Sequence, residues 1–234
     1  MPFCGQKALS RSINSTFEVR PLPCNSWGCV DCRDRKREAL KMLALDGAPD
    51  KFITITVNTA NFESREHAYA QLRHWWIEFV KHMRKRLPAR RIEYLAVAES
   101  TKAGWPHLHV VARAPFISQK SISKYFADKM GSPVVDIRAV KSRRGIALYV
   151  TKYISKAPHR FADGKRFVKS LGWISSAARA WRARQRRVAG WRVWDKFPFE
   201  VKEHLEALGH RFEELPGGAW VSIARCRSAD DIPF

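Results

Sequence analysis

The sequence predicts an α+β fold, a two-layer domain with a central antiparallel sheet and helices packed on it. Three observations carry this expectation. Segments with the β-branched density of strands alternate with segments of helical spacing, in the order βαββαβα from Phe52 to Lys156. Two neighbouring strand segments are joined by nothing longer than the turn Thr101 to Trp105, which suits an antiparallel hairpin. An apolar fraction of 45%, with 9 Trp, 5 Tyr and 13 Phe, is enough to bury a core.

The elements follow in chain order. After a Cys-rich opening, Arg33 to Leu45 reads as a basic helix stopped by Gly47 and Pro49. Phe52 to Val57, a run of Ile, Thr and Val, reads as a strand. From Ser64 to Leu87, Ala68, Leu72, Trp76, Phe79, Met83 and Leu87 recur at helical spacing, and Pro88 closes that amphipathic helix. Ile92 to Glu99 and His107 to Arg113 are the hairpin strands. A helix from Ser118 to Met130, a strand from Pro133 to Val140 and a helix from Arg143 to Lys156 complete the pattern. Trp220 to Ala224 suggests one further strand. The organisation expected is a Cys-rich segment with its basic helix over 1–50, the main domain over 51–160, and an extension over 161–234 that is basic and Trp-rich, then acidic.

Composition narrows the function. At 234 residues the chain is too short for a nuclease joined to a full helicase or polymerase. Forty-three Lys and Arg against 22 Asp and Glu leave a formal charge of +21, a balance suited to a polyanion, and nucleic acid is the leading partner. From Glu200 onward seven acidic residues face four basic ones, so the basic surface belongs to the body. No run approaches the roughly 18 apolar residues of a membrane span. The first thirty residues lack the apolar core of a secretory signal, so a cytoplasmic location and no membrane partner are expected.

Four constellations can carry chemistry. In the strand Pro106 to Arg113, side chains two apart share a face, so His107 and His109 point the same way while Leu108 and Val110 point to the other. Two imidazoles so placed are half of a divalent-metal site, and Glu99 on the preceding strand offers a carboxylate. Satisfied core or surface histidines are the alternative. In the helix from Arg143, residues four apart differ by about 40°, which stacks Tyr149 and Tyr153 on one side with Lys152 and Lys156 close by. Ile146, Val150 and Ile154 form the stripe that faces the sheet, so packing does not require the tyrosines. A phenol with a pKa near 10 needs a cation or base beside it to act as a nucleophile, and Lys152 and a metal supply that.

The cysteines run Cys24-x4-Cys29-x2-Cys32, with Cys4 as fourth member. They read either as a closed structural Zn²⁺ site or as reduced, partly buried thiols; Cys226 is a spectator. Arg143 and Arg144 belong to one basic cluster. In another, six Arg, among them Arg179, Arg182, Arg184, Arg186 and Arg187, interleave with Trp173, Trp181, Trp191 and Trp194 without an acid from 173 to 194. Arg on phosphate and Trp on unpaired bases suit a grip on single strands. A solvated basic helix with Trp in the core is the other reading.

Taken in order, Phe52 to Val57, then Glu99 through His109, then Tyr149 to Lys156 with its paired Tyr-x-x-Lys-Tyr, resemble the motifs of the HUH endonucleases, a ferredoxin-like architecture. The paired tyrosines are similar to the two-tyrosine rolling-circle replication initiators of small single-stranded DNA phages such as microviruses. The resemblance implies metal ligation by His107, His109 and Glu99, with Mg²⁺ or Mn²⁺ as the ion. It implies Tyr149 and Tyr153 as nucleophiles, with Lys152 orienting phosphate or phenol. The reaction implied is a nick in one strand of single-stranded or locally melted origin DNA, giving a 5′-phosphotyrosine and a free 3′-OH, with later strand transfer and rejoining. No G-x-x-x-x-G-K-[ST] run is present: Gly164 and Lys165 lack the upstream glycine and precede Arg166. Unwinding and synthesis therefore fall to a helicase and polymerase of the host, and the phage resemblance implies that this host is bacterial and the location its cytoplasm. A plasmid relaxase, a single-strand transposase and a non-catalytic zinc-containing packaging protein are the competing readings.

Overall fold

The computed structural model of the chain describes residues 4–13, 16–86, 92–140, 142, 149, 159–161, 164–175, 190–216 and 218–223. The chain packs as two units, Arg37–Arg179 and a second one made from both ends, Met1–Lys36 with Ala180–Phe234.

In the first unit, a five-stranded sheet is built from β3 (Lys51–Thr56), β4 (Glu93–Ser100), β5 (Pro106–Arg113), β6 (Val135–Ala139) and β7 (Phe167–Lys169). The order is β6-β3-β5-β4-β7, and every pair is antiparallel. Helices α2 (Arg65–Arg86) and α3 (Gln119–Met130) cover one face. The period of two decides what they cover. Ile53 and Ile55 of β3, Tyr94 and Ala96 of β4, and Leu108, Val110 and Ala112 of β5 join Leu72, Trp76 and Phe79 of α2 and Ile122 and Phe126 of α3 in one core. That is the two-layer α+β arrangement the hydrophobic periodicity predicts, and the intervening residues of each strand are left for the opposite face.

Local chemistry fixes the ends of these elements. Ser118 caps α3 by accepting from the Ser121 N–H at 3.2 Å, and Gly131 ends it in the left-handed region at φ 61°. Between α1 (Val30–Asp46) and β3, Gly47 lets the ring of Trp173 pass so close that a Cβ would lie 2.1 Å from it. Trp173 is fully buried and its Nε1–H donates to the Leu43 carbonyl at 2.7 Å. It is a core residue. The reading that grouped it with base-stacking tryptophans is corrected on that point: its indole has no free face.

The second unit carries one strand the sequence announced, the last, at the expected Trp220 to Ala224, and four it did not. β1 (Ala8–Ile13), β2 (Thr16–Pro21), β8 (Arg192–Trp194), β9 (Arg211–Leu215) and β10 (Ala219–Ile223) form a sheet in the order β8-β1-β2-β10-β9. Helix α4 (Pro198–Ala207) packs on it through Val201 and Leu205 against Ala8 and Val19. Two more of the interleaved tryptophans are held here. Trp194 donates from Nε1 to Ser10 Oγ at 2.7 Å, and the Arg11 and Arg20 guanidiniums lie 4.5 and 3.8 Å from the Trp191 ring. The expected helix Arg143 to Lys156 lies outside the described residues except for Tyr149, whose backbone is helical. No helix among the described residues is long and apolar enough to cross a membrane.

Candidate active site

The uncovered face of the first sheet is where the strand alternation gathers polar groups. Antiparallel register sets Glu99 opposite His107, and Thr54 opposite His109. All four side chains belong to the face that α2 and α3 do not cover, because their strand neighbours Ile53, Ala98, Leu108 and Val110 face those helices or the core beneath them. They line a cleft of about 510 Å³ together with Ser100, Thr101 and Lys102 of the β4–β5 turn, Asp136 and Arg138 of β6, and Tyr149.

Distances tie the centre together. Glu99 Oε2 is 2.7 Å from His109 Nε2. On its other side the same imidazole presents Nδ1 to two hydroxyls at 3.2 Å, those of Thr54 and Tyr149, which are 3.3 Å apart. The Tyr149 ring lies flat on Phe52, centroids 3.8 Å apart at 7°. Phe52 therefore orients the phenol while Thr54 and His109 engage its oxygen. The His107 and His109 rings are 6.1 Å apart. Burial, with the neighbouring imidazole of His109, holds the His107 pKa below the usual histidine value against the opposing pull of Glu99. A neutral His107 keeps a lone pair available, which is the state a metal ligand or a hydrogen-bond acceptor needs.

Of the residues singled out in the sequence, this face brings together Glu99, His107, His109 and Tyr149. Lys152, Tyr153, Lys156, Arg143, Arg144, Arg179, Trp181, Arg182, Arg184, Arg186 and Arg187 lie outside the described residues. Sequence reasoning missed Phe52 and Thr54 as site residues, although both stand in a strand it recognised. The signal was their alternation with Ile53 and Ile55, but the pairing of β3 with β5 was needed to say which face meets the histidines.

The cysteines form a second cluster. Cys4, Cys24, Cys29 and Cys32 bring their sulfurs within 4.8 Å of one another, a group able to hold a metal ion such as zinc. Burial raises the Cys32 thiol, but hydrogen bonds from Cys4, the Asn25 backbone, Cys24 and Arg35 outweigh it and bring the pKa down to about 6.

With the geometry described, comparison with known proteins can be stated. Residues 50–158 match the family described as Replication-associated protein ORF2/G2P. The match spans β3 to β6 and runs past Tyr149, so it takes in every described residue of the cleft's polar centre. It supports a role in DNA replication for the segment that holds the cleft. No curated protein and no solved structure matches the chain.

Proposed function

We propose that the chain initiates rolling-circle replication as an HUH-type endonuclease and strand-transferase, nicking one strand of single-stranded or locally melted origin DNA with a tyrosine. The observation that carries this reading is the Tyr149 hydroxyl, 3.2 Å from His109 Nδ1 in an open cleft whose other wall holds Glu99 and His107. A tyrosine placed only to pack would not need two hydrogen-bonding partners at a cleft floor. The replication-associated family match over the same residues supports the same reading.

The donor types suit a divalent ion: two imidazoles and a carboxylate stand on paired strands and line one cleft, with Glu99 and His109 2.7 Å apart and burial favouring the neutral form of His107. His107, His109 and Glu99 would hold Mg²⁺ or Mn²⁺. Such an ion supplies Lewis-acid polarisation of the non-bridging phosphate oxygens.

The protein's own groups do the rest. Phe52 fixes the plane of the Tyr149 ring, and Thr54 and His109 fix its oxygen. With Nε2 engaged by a carboxylate or an ion, Nδ1 is the nitrogen that meets the phenol. With Nε2–H held by Glu99, Nδ1 carries the lone pair and accepts the phenolic proton; with Nε2 on an ion, Nδ1 carries the hydrogen, the phenolic proton passes to solvent and the N–H donates to the phenolate. Either state favours oxygen attack on phosphorus. The new bond is Tyr149 Oη to phosphorus, the bond broken is phosphorus to O3′, and the departing O3′ takes a proton from solvent to leave as a 3′-OH. Phosphodiester energy is conserved in the tyrosyl link, so joining needs no nucleotide. The two tyrosines share the two cuts, the one not used at initiation, written here as Tyr153, cutting after a round of synthesis; Lys152 orients the phosphate, and the released 3′-OH attacks the first phosphotyrosine to reseal the strand. Unwinding is left to a host helicase and synthesis to a host polymerase.

The double change Tyr149→Phe, Tyr153→Phe tests this. Phe keeps the ring on Phe52 and any base stacking but removes the nucleophilic oxygen. Cleavage should vanish with DNA binding nearly intact; persistent cleavage sinks the assignment of these nucleophiles.

A further inference from the structure

We propose that Cys4, Cys24, Cys29 and Cys32 bind one Zn²⁺ as a closed tetrathiolate centre that ties the base of the β1–β2 hairpin to the first turn of α1. In a tetrahedron with zinc–sulfur bonds of about 2.3 Å, neighbouring sulfurs lie about 3.8 Å apart. Here the Cys4 and Cys32 sulfurs are 3.5 Å apart, those of Cys24 and Cys32 are 3.6 Å apart, and all four stay within 4.8 Å. A disulfide needs about 2.05 Å, and the four thiols are free.

The fold explains a sequence spacing that otherwise looks too loose. Twenty residues separate Cys4 from Cys24, but the chain between them is a hairpin whose register pairs Ala8 with Pro21. Below that pair, the Leu22 N–H donates to the Lys7 carbonyl at 2.7 Å and the Gly5 N–H to the Leu22 carbonyl at 3.3 Å. The hairpin therefore delivers Cys4 and Cys24 to the same end. Cys29 immediately precedes α1 and Cys32 stands in its first turn, where unpaired N–H groups and the helix dipole favour thiolates. Cys29 and Cys32 are both buried.

Charge is matched as well. Four thiolates around Zn²⁺ leave the centre at −2, and the Arg35 guanidinium donates from Nη2 to Cys32 Sγ at 3.5 Å. Lys36 beside it donates to the Asn25 carbonyl at 2.8 Å, closing the loop that carries Cys24 to Cys29. A cluster of plain reduced thiols has no need of four sulfurs gathered within 4.8 Å of one another from three separate chain segments.

The test is metal content, read without DNA and so independent of the nicking reading. Full-length protein produced with zinc available and dialysed against EDTA should retain about one zinc per chain by elemental mass spectrometry. Replacement by Co²⁺ should give thiolate-to-metal charge-transfer absorption. Cys24→Ser and Cys29→Ser should each lower zinc retention. Cys226→Ser and the His107→Ala, His109→Ala pair should not. Should the Ser variants fail to fold, alkylation of the unaltered protein decides: four thiols protected until an organomercurial displaces the metal are expected. Zinc-free protein whose four thiols alkylate freely, or an intact mass short of two hydrogens for a disulfide, overturns the proposal.

Discussion

At the scale of single residues, His109 is the hinge of the account. One nitrogen meets Glu99 at 2.7 Å and the other meets both Thr54 and Tyr149 at 3.2 Å. Its loss should therefore cost more than the loss of His107, which does not reach the phenol. His109→Ala is expected to lower single-turnover nicking on the order of 10²-fold or more, in the range of a removed acid–base partner. Thr54→Val, nearly isosteric, should lower it only several-fold, the size of one net hydrogen bond of about 1 kcal/mol. Both variants should keep their affinity for single-stranded DNA. Equal nicking by His109→Ala and the unaltered protein, measured at saturating Mn²⁺, would contradict the role given to this imidazole. The pairing of His107 with His109 was legible in the sequence because strand alternation is local. Thr54 was not, because nothing local says that β3 lies beside β5 or in which register.

Among the elements, the same division between local and distant holds. Helix α2 was readable because Ala68, Leu72, Trp76 and Phe79 repeat within one segment, and α3 because Ser118 and Gly131 bracket it. β7, three residues long, was not readable, and of the sheet formed by both chain ends only β10 was, from the run Trp220 to Ala224. β1 and β2 alternate Ser, Arg and Glu with modest apolar residues, and their partners β8 and β10 lie nearly two hundred residues away in sequence, a separation periodicity cannot bridge. The basic, Trp-rich stretch shows the limit of reading composition alone: it left base stacking and core packing both open, and the structure places fully buried Trp173 in the core while half-buried Trp194 donates to Ser10. Gly47 marks where an element junction depends on a close approach. Gly47→Ala would set a Cβ 2.1 Å from the fully buried Trp173 ring, so a loss of about 1–3 kcal/mol is expected from overpacking. A shift in the denaturation midpoint checks it, and an unchanged midpoint would contradict the packing described at that junction.

For the molecule as a whole, charge and chemistry point to one partner. A formal +21 on 234 residues attracts a polyanion but does not cut it; the proposed nicking is assigned to the cleft on the open sheet face. The replication-associated match over residues 50–158 covers that cleft and leaves the cysteine cluster outside it. The proposed catalysis and the proposed zinc centre therefore rest on different parts of the chain and can be tested apart. The central claim is that a tyrosine of this protein becomes covalently joined to DNA. The most direct measurement incubates purified protein with internally labelled single-stranded circles carrying the cognate origin and Mn²⁺, with and without EDTA, and separates the products on a denaturing gel. The account predicts a protein–DNA adduct that EDTA abolishes and that peptide mapping assigns to Tyr149 or Tyr153. DNA bound without an adduct, or an adduct on any other residue, would contradict it.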